Sequence, residues 1–253
     1  MRQSSSDYAD STVGDFNAIA RNSLTVLARD IQRPEDRVLL RFMTPLFDMI
    51  LSDDHSSLIE LLANMHGAGI RDEDISDFYA PVIARQLGHA WTDDRLTFVQ
   101  VSTASARLQN LLWELDTTWV TPPALNFSGL KGEICLFVPQ GVQHTLGATV
   151  LAGQLRRAGC MVRMAVDLKL SDIANFVKIP ETAGVLISAS RAESLDFLEK
   201  VVEKVRAGNA KVPVLLGGNV LDRKEDVAAV IGADHSTANW QDALTFCKKR
   251  TVR

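Results

Sequence analysis

Glu133–Ala148 reads EICLFVPQGVQHTLGA, and the fold of the surrounding chain follows from how this stretch is parsed. Glu133–Val138 is a short apolar run closed by Pro139, the profile of a strand buried on both faces. A polar, glycine-containing turn leads to His144, and from about Thr145 to Ala158 the apolar positions recur at helical spacing. A buried strand passing through a tight loop into a helix is the first half of a βαβ unit.

Toward the C-terminus the same alternation repeats. Strand candidates at Met161–Val166, Gly184–Ile187, Val212–Leu216 and Asp234–Ser236 are interleaved with helix candidates. These helices are expected over Ser171–Val177, Ala192–Ala207, Arg223–Ile231 and Trp240–Lys248. Such alternation demands parallel pairing and right-handed crossovers. The expected class is therefore α/β, a Rossmann-like, flavodoxin-like doubly wound sheet of five parallel strands over residues 131–253.

Toward the N-terminus the grammar changes. Residues 118–130 contain Pro122 and Pro123, which cannot continue a helix, and read as a linker. Before it, residues 14–117 carry helical periodicity throughout and predict a small helical bundle. Five helices are expected: about Asp15–Ile31, Pro34–Ile50, Ser56–Met65, Asp72 or Asp74 to Leu87 with Gly88 as its stop, and Leu96–Leu115. Residues 1–13 are polar and serine-rich, the composition of a loose arm.

Composition narrows the function classes. Of 253 residues, 46% are hydrophobic and 23% charged, which is ordinary for a globular protein. A net charge of −4 argues against a broad nucleic-acid interface, whose phosphates need a basic face. The three cysteines, Cys135, Cys160 and Cys247, make neither a zinc pattern nor a disulfide framework. No apolar run approaches the ~18–20 residues that span a bilayer, and no signal-peptide core is present. The expected location is the cytoplasm, with no membrane association.

In an open parallel sheet, ligands bind beyond the carboxyl ends of the strands, near the topological switch point. Four successive strand ends here carry polar or glycine-rich loops: Gln140–Ala148 with His144 and Gly147, Ser188-Ala189-Ser190, Gly217-Gly218-Asn219, and His235-Ser236-Thr237. Singly, each has an ordinary structural reading as a turn or a satisfied backbone group. Together they converge on one edge of the sheet.

On these residues the second half resembles the cobalamin-binding domains of the methionine synthase type. Those domains carry Asp-x-His-x-x-Gly after the first strand, Ser-x-Leu after the third and Gly-Gly after the fourth. The counterparts here are His144 and Gly147, then Ser188 with Ser190, then Gly217 and Gly218. The resemblance implies that His144 is the lower cobalt ligand. It also implies that the serines and glycines line the groove taking the displaced nucleotide tail. Related modules are preceded by a helical cap with a Leu-Gly-x-x-Trp element, matched by Leu87, Gly88 and Trp91. The resemblance places Trp91 against the upper axial group, beside the alternative of an ordinary core or helix-end aromatic.

The chain departs from the pattern at four positions. Val142 stands where methyl-transfer proteins have the aspartate that orients the histidine, Ser190 replaces leucine, and Val101-Ser102 stand where light-sensing repressors have Glu-His. There is also no basic helix-turn-helix module. What remains is similar to the AerR/PpaA group of antirepressors found with photosynthesis genes. That resemblance implies a non-enzymatic photoreceptor or redox-responsive regulator holding adenosyl- or hydroxocobalamin. It implies action on a DNA-binding repressor of the CrtJ/PpsR type, with no sequence-specific DNA binding of its own. It further implies that breakage or exchange of the upper ligand moves the helical cap. Two alternatives stay open: a corrinoid carrier for a methyltransferase system, and a haem-binding redox sensor of the same fold.

Overall fold

The computed structural model describes residues 34–115, 129–141, 145–179, 181–223 and 225–251. The expected N-terminal arm, the helix expected over Asp15–Ile31, most of the expected linker, Val142 and His144 lie outside the described residues. The chain divides into two compact units, Met1–Asp116 and Thr117–Arg253.

The first unit is helical, with no strand among its described residues. It comprises α1 (Pro34–Leu51), α2 (His55–Gly67), the single turn α3 (Asp72–Asp74), a π-helical turn over Ile75–Tyr79, α4 (Ala80–Thr92) and α5 (Phe98–Leu115). Asp54 starts α2 by accepting a hydrogen bond from the Ser57 amide at 3.1 Å. Phe42, Met43, Leu46, Phe47 and Ile50 repeat at helical spacing along α1 and are buried, as are Ile83, Leu87, Leu108, Leu111 and Leu112. Arg107 on α5 closes the far end of α1: it donates to the Ile50 and Leu51 carbonyls at 3.4 and 2.9 Å and pairs with Asp53. These are among the acceptors that a helix end leaves without intrahelical partners.

Gly88 does not end its helix. α4 runs through it to Thr92, and the stop is Asp94, whose φ of +55° turns the chain back. The Arg95 and Leu96 amides then both return to the Ala90 carbonyl, at 2.8 and 3.0 Å. Aspartate tolerates this left-handed conformation better than most side chains. The closure came from Asp94 instead of the glycine.

The second unit is a five-stranded, all-parallel sheet. Its strands are β1 (Glu133–Pro139), β2 (Met161–Leu168), β3 (Thr182–Ser188), β4 (Val214–Gly217) and β5 (His235–Ser236). The order is β2-β1-β3-β4-β5, the flavodoxin-like winding expected from the alternation. The helices are α6 (Leu146–Arg157), α7 (Leu170–Val177), α8 (Leu195–Gly208), α9 (Val227–Ile231) and α10 (Trp240–Thr251).

Strand alternation sorts the core into two layers. Cys135, Phe137, Val185, Ile187, Val214 and Leu216 face one way, packing with Ile173 of α7, Leu198 and Val201 of α8 and Ile231 of α9. Ile134, Leu136, Val138, Leu186 and Leu215 face the other, packing with Ala152 and Leu155 of α6 and Leu244 and Cys247 of α10. The interiors of β1 and β3 are therefore buried on both faces, while edge strand β2 is partly exposed along its whole length.

Two helix starts differ from expectation for local reasons. α8 begins at Leu195 because Ser194 caps it, accepting from the Phe197 amide at 3.2 Å. α9 begins only after Asp226, which accepts from the Ala229 amide at 3.2 Å, and a separate 3₁₀ turn occupies Asn219–Asp222. No helix among the described residues is long and apolar enough to cross a membrane.

Candidate functional site

In this winding the switch point lies between β1 and β3, the two strands whose crossovers diverge to opposite faces. In such sheets ligands bind beyond the carboxyl ends of these two strands. The β1 loop carries Gln140, Gly141 and, in its undescribed part, His144. Gly147 follows in the first turn of α6, exposed, with no atom within 4 Å of where its Cβ would be.

Ser188, Ser190, Gly217 and Gly218 are brought together at the ends of β3 and β4. Ser188 is the register partner of Gly217, and the Ala189 amide donates to the Gly217 carbonyl at 2.9 Å. Gly218 has a φ of +97°, and a Cβ there would stand 2.1 Å from the Ala189 carbonyl oxygen. It is required by the backbone itself, whatever binds nearby. Gly217 is under less constraint: its Cβ would meet the Thr237 carbonyl oxygen at 3.2 Å.

Ser190 is 3% exposed, and its polar atoms are engaged locally. Its hydroxyl donates to Glu193 at 2.9 Å and accepts from the Ala192 amide at 3.2 Å, and its own amide donates to the second Glu193 oxygen. Two side chains then tie this loop to the one after β4. Asn219 Oδ1 accepts from the Arg191 amide at 2.8 Å, and the Arg223 guanidinium donates to the Arg191 and Glu193 carbonyls at 2.8 and 2.6 Å. Glu193, Asn219 and Arg223 build this half of the site, yet none belongs to a periodic or motif pattern. Only the polar-after-glycine spacing of Asn219 signals a turn role.

His235 is not a spare ligand. Its Nε2 is 2.8 Å from Asp242, and its ring stacks on Phe246 with centroids 4.7 Å apart. The hydrogen bond to His235 holds the Asp242 carboxyl below the usual carboxylate range, with help from Thr237. No group of three or more His, Cys, Asp or Glu side chains able to hold a metal occurs among the described residues.

In the helical unit, Trp91 lies at the end of α4 and is 48% exposed, so it is not a core aromatic. Its ring stands 6.5 Å from that of Phe98, which is also exposed, together with Val99. Leu87 is buried beneath.

The family described as "B12 binding domain" matches residues 132–243. A protein of Rhodobacter capsulatus, the uncharacterized 20.5 kDa protein in the bchF-crtJ intergenic region, is 33% identical over 175 residues. That alignment covers 69% of this chain and 90% of the relative. The chain belongs to the B12-binding family. The fold agrees: the monomethylamine corrinoid protein of Methanosarcina barkeri superposes with a TM-score of 0.63 at 19% identity, covering 81% of this chain and 96% of that one.

Gly147 provides the test of whether a B12-binding site fits these residues. A glycine in a helix costs about 0.5–1 kcal/mol relative to alanine, and here no neighbouring atom requires it. Among the described residues nothing packs against the space beside it. Together with the Ser188–Gly217 ledge across the switch point, it suits a bulky cofactor approaching the backbone.

Proposed function

We propose that this protein is a cytoplasmic, non-enzymatic transcriptional regulator that binds cobalamin and acts through a DNA-binding repressor of the CrtJ/PpsR type, on photosynthesis genes. One observation carries the reading: a chain with a B12-binding domain is 33% identical, over 90% of that relative's length, to a protein of the bchF-crtJ intergenic region. When bound, cobalamin would supply a cobalt centre sensitive to light or redox state.

The chain's own residues divide the work. His144 would hold the cobalt from below, Gly147 and Gly217 would admit the nucleotide tail close to the backbone, and Ser188 would contact it. Gly218 and Ser190 serve that groove indirectly, since the first sets the backbone and the second is bonded to Glu193. From the helical unit, Trp91 would contribute to holding the cofactor. Movement of that unit would carry the signal to the repressor.

The absorption spectrum of protein reconstituted with adenosyl- or hydroxocobalamin tests the cofactor. One corrin per chain is expected, with a histidine-ligated signature that His144→Ala removes. Tight haem uptake without corrin would refute it. The partner is tested by promoter binding of the repressor with and without the loaded protein. A second reading, a corrinoid carrier of a methyltransferase system, is favoured by the fold shared with the Methanosarcina protein. Val142 weighs against it, because valine cannot accept the hydrogen bond that orients the ligand histidine.

A further inference from the structure

The loop after β1 carries valine, not a carboxylate, at position 142. Two observations at the edge of the sheet show what fixes its beginning. The first is backbone strain. Asp167, next to last in β2, has a φ of +56°, and the only other non-glycine residue with positive φ among those described is the helix-closing Asp94. Such a conformation costs about 1–2 kcal/mol for an L-residue and persists where the surroundings over-determine it.

The second observation is what the strain achieves. Asp167 Oδ1 accepts a hydrogen bond from the Gly141 amide at 3.0 Å. Immediately beside it, the Leu168 carbonyl accepts from the Gln140 amide at 3.0 Å. The β1–β2 register shifts between Phe137 and Pro139, so that Pro139 pairs with Leu168. The irregularity lets the exposed edge strand grip the first two residues of the neighbouring strand's loop. Gly141, itself at φ +84°, is three residues before His144.

We propose that Asp167 is a positioning residue for the start of the β1 loop, anchoring it at Gly141 from the neighbouring strand. The anchor needs an acceptor at Oδ1 and a residue that tolerates left-handed backbone. Asparagine keeps both, whereas glycine keeps the backbone and loses the acceptor. The proposal rests on His144 being the cobalt ligand, but the anchor can be tested without cofactor.

In the full-length protein free of cobalamin, Asp167→Gly is expected to speed exchange of the Gly141 amide roughly tenfold or more, the scale of a lost hydrogen bond to a charged group. Asp167→Asn should stay close to the parent. Because glycine adopts φ +56° without strain, loss of fold does not confuse the result. With cobalamin bound, the histidine-ligated fraction of the visible spectrum should fall in Asp167→Gly and return in Asp167→Asn. Unchanged Gly141 exchange in Asp167→Gly overturns the proposal, as does a parent-like histidine signature once the amide has been freed. If the parent binds cobalamin with no histidine signature while Asp167→Gly still frees the amide, the assignment of His144 is what has failed.

Discussion

Gly147→Ala should make the protein more stable and a poorer binder at once. The residue lies in the first turn of α6, exposed, with nothing within 4 Å of an added Cβ. Removing the conformational freedom of a helical glycine should stabilise the cofactor-free protein by about 0.5–1 kcal/mol. For a chain of this size that is a rise in Tm of about 1–4 °C. If the space is where cobalamin meets the backbone, the same methyl group intrudes on the complex. An overpacking cost of about 1–3 kcal/mol would raise Kd roughly five- to 150-fold. Thermal melts without cofactor and a spectrophotometric titration with hydroxocobalamin measure the two effects independently. A variant that is stabilised yet binds with parental affinity would refute the argument that the space belongs to the cofactor. A destabilised variant would show that the glycine answers to the protein's own packing.

Gly218→Ala should cost about 3 kcal/mol or more of stability, since it joins a left-handed backbone to a 2.1 Å collision with the Ala189 carbonyl. Gly217→Ala, facing an oxygen at 3.2 Å, should cost about 1 kcal/mol or less, and denaturant midpoints compare the two. Burial pushes the Cys247 thiol up to about 12, with the neighbouring Cys160 adding to it. Burial pushes Cys135 up to about 11, with Glu133 adding to it. Both stay protonated in the folded state after unfolded thiols ionise near the usual value, so stability should decline as pH rises above about 9. A series of urea melts from pH 7 to 10.5 checks the sign. Iodoacetamide at pH 8 should leave all three buried cysteines unmodified until denaturant is added. Trp91→Ala should change cofactor-free stability by no more than about 1 kcal/mol, because the ring is already half exposed, while weakening cobalamin binding.

The sheet was legible because its signals are local and periodic. Apolar runs such as Ile134–Val138 and Val185–Ile187 can only be strands buried on both faces when helices alternate with them. The glycines and serines at the strand ends were legible as a set, and Ser188 does pair with Gly217. What escaped were residues whose meaning depends on distant partners. Nothing around Arg223 announces that its guanidinium will bridge two carbonyls some thirty positions earlier. Asp167 sits in an ordinary strand pattern, and its left-handed turn exists only because a neighbouring strand's loop lies within reach. Gly88 misled for the opposite reason: a local stop signal was present, but the helix had an apolar face still to bury, through Ala90.

The clamp of Glu193, Asn219 and Arg223 also bears on cofactor capture. The loops after β3 and β4 are cross-linked to each other by the protein's own hydrogen bonds, before any ligand arrives. A cofactor tail entering here, as proposed, would meet a wall already ordered and would lose little conformational entropy of the protein on binding.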